Sequence, residues 1–82
     1  MNIPSLFAAA LLPKVVYCAH EYFETNGERR LEVQFWVPAL NKPGVVGCVC
    51  PTDADILSAV EQCARLATEW AEIKIHKAKS NG

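Results

Sequence analysis

A chain of 82 residues has material for one hydrophobic core, because one this short buries too little of its surface to divide into two. Eight Lys and Arg against nine Asp and Glu give a formal net charge of −1, so no overall field gathers phosphate backbones or acidic membranes, and nucleic acid is disfavoured as a direct ligand. Apolar residues are 51% of the chain and the mean hydropathy is +0.10. A small monomer needs a mostly polar surface, so part of this apolar surface is expected to be shared with a protein partner or a second copy.

Asn2 to Leu12 is apolar with Pro4 in its first turn, which predicts a short helix ended by Pro13. The apolar run Leu6 to Leu12 falls short of the ~18–20 residues that cross a bilayer, so no membrane association is expected. Tyr17-Cys18-Ala19 resembles a small-residue cleavage site. A basic n-region is missing, however, and Pro13-Lys14 interrupts the run, so the expected location is the cytoplasm rather than a secretory route.

From Lys14 to Glu24, Val15, Val16, Tyr17, Cys18, Tyr22 and Phe23 predict a first strand, and Asn26-Gly27 predicts a hairpin turn after it. Its phase stays open, because Val15, Tyr17, Ala19 and Val16, Cys18, Tyr22 are both partly apolar sets. A strand apolar on both faces needs cover on both. The N-terminal helix, a second copy and a different macromolecule are the three candidates.

Arg29 to Ala39 alternates, with Leu31, Val33, Phe35 and Val37 on one side and Arg30, Glu32, Gln34 and Trp36 on the other. Pro38, Asn41, Lys42, Pro43 and Gly44 are expected to break the chain and turn it into a third strand, Val45 to Cys50, completing a meander. Thr52-Asp53-Ala54-Asp55 reads as a helix start, a capping hydroxyl with two carboxylates at the positive end of the dipole. Ile56, Leu57, Val60, Cys63, Ala64, Ala67, Trp70 and Ala71 then recur at three- and four-residue spacing, the pattern of a helix that covers a sheet. The expected fold is α+β: a three-stranded antiparallel meander covered by a long C-terminal helix, with a short N-terminal helix. One domain spans residues 1–82, and residues 76–82, without apolar partner positions, are expected to form a flexible tail.

No set of residues frames a reaction. Cys18 with His20 and Cys48 with Cys50 are i, i+2 pairs, each on one face of its strand by alternation. Together they could surround zinc only if the first and third strands were neighbours, and structural zinc favours C-x2-4-C knuckles in turns. A zinc or redox protein built on these four is therefore a secondary alternative, and the leading reading assigns no metal and no cofactor. Cys63 lies on the apolar helix stripe and is expected in the core. No third group orients His20 or His76 as a base towards a Cys nucleophile. Capping accounts for Asp53 and Asp55, and the four glycines form no phosphate loop. The chain is not expected to be an enzyme.

The order helix, three strands, helix, with Gly44-Val45-Val46-Gly47 before the last helix, is similar to that of double-stranded RNA-binding domains. Those domains meet phosphates with lysines at the start of the final helix, where this chain has Asp53 and Asp55, which would repel a backbone. Phe35-Trp36-Val37-Pro38-Ala39-Leu40 and the helix after Cys50 likewise resemble the small antitoxin domains of the HicB kind. These likenesses, with the cations Arg29, Arg30, Lys42, Lys74, Lys77 and Lys79, imply an alternative function as a nucleic-acid-binding or antitoxin-like accessory module.

The leading expectation is a non-enzymatic regulator or inhibitor that docks on a protein, possible also as a homodimer. Phages and mobile elements use small proteins of this kind to block host or defence complexes, CRISPR complexes among them. Trp36 is the expected anchor, with Gln34 and Glu32 beside it on the second strand and Tyr22 and His20 on the first.

Overall fold

The structure is a computed structural model that describes residues 3–10 and 15–80, without the side chains of residues 8–10 and 80. Its elements follow the order helix, three strands, helix: α1 (Ile3–Ala10), β1 (Val16–Thr25), β2 (Glu28–Val37), β3 (Lys42–Val49) and α2 (Ile56–Ser80), with a 3-10 turn at Asp53–Asp55 leading into α2. The strands form one antiparallel sheet in the order β1-β2-β3. The end of the first helix expected at Leu12 and Pro13 lies outside the described residues.

Local chemistry accounts for each junction. Asn26 and Gly27 take φ of +54° and +78°, the left-handed pair that a two-residue hairpin turn needs to match the twist of its strands. Pro38 to Asn41 make the second turn, where the Leu40 and Asn41 amides donate to the Val37 and Pro38 carbonyls at 3.1 and 3.2 Å. Asn41 closes that turn at φ +53°. Lys42, Pro43 and Gly44, expected in the turn, instead pair with Val37, Trp36 and Phe35 as the start of β3. Proline is tolerated there because β3 is an edge strand.

The Asp55 carboxylate accepts from the Thr52 hydroxyl at 2.8 Å and from the Thr52 amide at 3.2 Å. It holds the helix entry from the acidic side, as in a capping box. Arg29 ties this entry to the sheet: Nε donates to the Cys50 carbonyl at 2.7 Å, Nη1 lies 3.1 Å from Asp53, and the guanidinium stacks 4.8 Å from the centre of the Tyr22 ring. Burial at this joint pushes the Tyr22 phenol above its ordinary value, against the opposing Arg29 charge.

The core lies between the sheet and the helices. Leu31, Val33, Phe35 and Val37 are fully buried, as their alternation predicts, beneath Ala59, Val60, Cys63, Ala64, Ala67 and Ala71 of α2. Alanine at four of these six positions lets the helix lie close on the sheet. Leu57, assigned to this stripe by spacing, is exposed. Ile3 and Phe7 bring α1 into the same core, where Phe7 meets Tyr17 with ring centroids 6.0 Å apart. The helix α2 runs through Ser80, well beyond Ile75, where the apolar positions stop; residues 81–82 of the expected tail lie outside the described residues. Among the described residues, no helix is long and apolar enough to cross a membrane.

The buried thiols give the fold a pH dependence. Cys48 donates to the Ala59 carbonyl at 3.0 Å and its sulfur lies 3.0 Å from that of Cys63. Burial, reinforced by the Cys48 contact, pushes the Cys63 thiol far above its ordinary 9.0. The unfolded chain releases this proton near pH 9 and the folded chain keeps it, so the contribution is intact below pH 9 and is lost as pH rises above it. The unfolding free energy from urea titrations should therefore fall as pH rises above about 9, by up to roughly 1 kcal/mol per pH unit. A Cys63→Ala variant should show a shallower fall.

Candidate functional site

One face of the sheet carries both helices and the other is open. Residues paired across an antiparallel ladder share a face, so the register assigns every strand position. Val16, Trp36 and Pro43 form one row of the open face, Ala19, Gln34 and Val45 the next, then Glu21, Glu32 and Gly47, then Phe23, Arg30 and Val49. The molecule measures only 16 Å along its shortest axis, the depth of a single helix layer on a single sheet, and no element among the described residues lies beneath it. Val16 and Val45 are 53% and 50% exposed, and Phe23 and Val49 are exposed at the opposite end of the face. Trp36 is half-buried between its neighbours. An open depression of about 360 Å³ is lined by Gln34, Pro43, Gly44 and Val45, of which Pro43 is the ladder partner of Trp36.

Trp36, Gln34 and Glu32 therefore share this surface, as their spacing predicts. Tyr22 and His20 do not. They pair with Leu31 and Val33, whose side chains enter the core, and so belong to the helix-bearing face. There the Tyr17 hydroxyl sits 2.6 Å from Nδ1 of His20, and His20 meets the Tyr22 ring edge-on at 6.1 Å. The cause is a β-bulge at Cys18, which slips the pairing by one residue between Tyr17 and Ala19. A one-residue slip exchanges the faces, which is why β1 reads as apolar on both sides. It also brings Ala19 and Phe23 to the open face, two residues that strict alternation could not place.

At the middle of this surface Glu21 and Glu32 stand directly opposite one another. Like charges at such positions destabilise a sheet, and neither forms an ion pair among the described residues. The face is thus apolar at the Trp36 end and acidic at its centre, with Arg30 and Glu28 linked at 3.9 Å beyond.

The four possible zinc ligands are not brought together. With β2 between β1 and β3, Cys18 and His20 occupy one edge of the sheet while Cys48 and Cys50 point into the core at the other. The bulge also parts Cys18, which is exposed, from His20. Among the described residues, no group of three or more His, Cys, Asp or Glu could hold a metal ion. Of the four thiols, Cys18 alone is exposed. A thiol reagent should modify one equivalent in the folded protein and four after denaturation, read by absorbance and intact mass; three or four fast equivalents under native conditions would contradict the packing.

The cations divide as well. Arg29 is spent on the joint described above, whereas Lys42, Lys74 and Lys77 line a groove of about 340 Å³ with Leu40, Pro43, Trp70 and Ala78. The Lys74 ammonium lies 5.7 Å from the Trp70 ring centre. Compared with known protein families, curated proteins and solved structures, the chain gives no match.

Proposed function

We propose that this protein is a non-enzymatic binding protein that docks on a protein partner through the open face of its sheet. The observation that carries this reading is a β-surface that no described element covers, with Trp36 seated between Val16 and Pro43 and with Val16 and Val45 exposed beside it. Half-buried aromatic anchors in apolar surroundings supply most of the energy at protein interfaces. The carboxylates of Glu21 and Glu32 supply selectivity, because a basic side chain on the partner placed over them would relieve a repulsion built into the free protein. A protein of this kind acts by covering a functional surface of its target, the mode of action of a small inhibitor of a host or defence complex. The test is affinity purification from the native cell with the wild-type chain and the Trp36→Ala variant side by side, read by mass spectrometry. A specific partner kept by the wild type and lost by the variant supports the reading; equal recovery counts against this face.

One observation favours a second reading. The three lysines of the groove at the end of α2 stand without a carboxylate among its lining residues, an arrangement suited to a polyanion. Titration with a nucleic-acid duplex decides between them, since phosphate-mediated binding weakens steeply with salt. A flat salt response removes the polyanion reading.

A further inference from the structure

The two edges of the sheet differ in a way that points to a second copy of this chain. The outer edge is blunted at β1 by the Cys18 bulge and by His20, Glu21 and Glu24, the devices that keep strand edges from pairing. At β3 such devices are confined to Lys42 and Pro43 at its start: from Gly44 to Cys50 the chain is Gly-Val-Val-Gly-Cys-Val-Cys, with no charge and no proline. The Cys50 amide donates to the Arg29 carbonyl at 3.1 Å. By the alternation of an antiparallel ladder, Cys48, Val46 and Gly44 also bond inward to β2, and Val45, Gly47 and Val49 turn their amides and carbonyls outward. Pro43, the remaining outward position, is the one where a missing amide costs the sheet nothing.

We infer that β3 pairs antiparallel with β3 of a second copy about a twofold axis at Gly47, joining two sheets into one of six strands. In that register Val45 faces the partner copy's Val49 and Gly47 faces its counterpart. All three outward residues of each copy are satisfied, and prolines 43 and 51 bound the ladder at both ends. Lys42 of each copy comes to the end where Thr52 and the exposed Asp53 of the other leave the sheet, so unlike charges meet at the ends of an uncharged strip.

A second observation on the same side of the molecule supports this occupant. Ala59 and Cys63 face Cys48 of β3, and Trp70 lies over Gly44. Next round α2, on the side away from Val60 and Ala64, come Leu66 and Ile73, which are 37% and 56% exposed and which the protomer's own core does not use. Paired strands stand ~4.8 Å apart. With each α2 set over the β2–β3 gap, the two helix axes would lie ~10 Å apart, the distance at which helices pack. Leu66 and Ile73 would then fill the seam. The dimer does not cover the half-buried Trp36 and makes the two open faces one continuous surface, so it stands independently of the function proposed above.

Sedimentation equilibrium at about 100 μM, far above the Kd of a micromolar complex, should give twice the 9.0 kDa of one chain. Leu66→Glu places like charges at the seam and should halve that mass with the circular dichroism spectrum unchanged, while Trp36→Ala should remain dimeric. In a Cys18→Ser background, Gly47→Cys should form an intermolecular disulfide under mild oxidation. Paired Cα atoms lie ~5.5 Å apart at such a position, and a Cβ on Gly47 meets nothing nearer than the Leu31 carbonyl at 3.4 Å. A wild-type chain of monomer mass, a Leu66→Glu protein that stays dimeric, or a Trp36→Ala protein that dissociates would each overturn the inference.

Discussion

Phe35→Ala is expected to lower the unfolding free energy by about 3–5 kcal/mol, out of roughly 4–12 kcal/mol for a domain of this length. The ring is fully buried and meets the Trp70 indole edge-on, with centroids 5.5 Å apart. It also lies across Gly44, where an added Cβ would stand 2.5 Å from Phe35 Cζ. The ring thus occupies the space that Gly44 leaves empty, and once it is gone no side chain on the facing strand can move in. That is the condition under which a cavity costs most, since the cost grows with the volume that fails to collapse. Urea unfolding followed by tryptophan fluorescence measures the loss, and the Trp70 signal should shift towards that of exposed indole before the main transition. A loss below about 1 kcal/mol, the size of an ordinary surface substitution, would mean that the ring is not seated as described.

Trp36→Ala, one residue along the same strand, should do the reverse. Its side chain adds little to the protomer, so stability should change by no more than about 1 kcal/mol. Partner affinity should fall by 2 kcal/mol or more, about 30-fold. His20→Ala and Tyr22→Ala serve as controls, because both residues lie on the helix-bearing face and should leave partner affinity within about threefold, or ~0.6 kcal/mol. Binding titrations of the four proteins against the purified partner separate the cases. If loss at His20 or Tyr22 equals loss at Trp36, the docking surface wraps the β1 edge and does not lie on the open face.

The alternation from Leu31 to Val37 survives into the structure because β2 is the central strand: both neighbours hold its register, and one face has the helix to bury against. The Asn26-Gly27 turn and the α2 stripe were legible for similar reasons, each depending on dihedrals or spacing within a few residues. The start of β3 was not, since Pro43 and Gly44 are turn residues by local preference. Only the edge position and the Phe35 ring overhead make a strand of them.

By itself, then, the sequence determined the order and type of the elements, the buried face of β2 and the placement of Trp36, Gln34 and Glu32 together, because local spacing alone decides these. The tertiary structure decided the face of each β1 residue, the separation of His20 and Tyr22 from Trp36, and the side of the sheet that α1 covers. Each depends on a one-residue bulge or on where a distant element packs. Periodicity within a single strand carries no record of either.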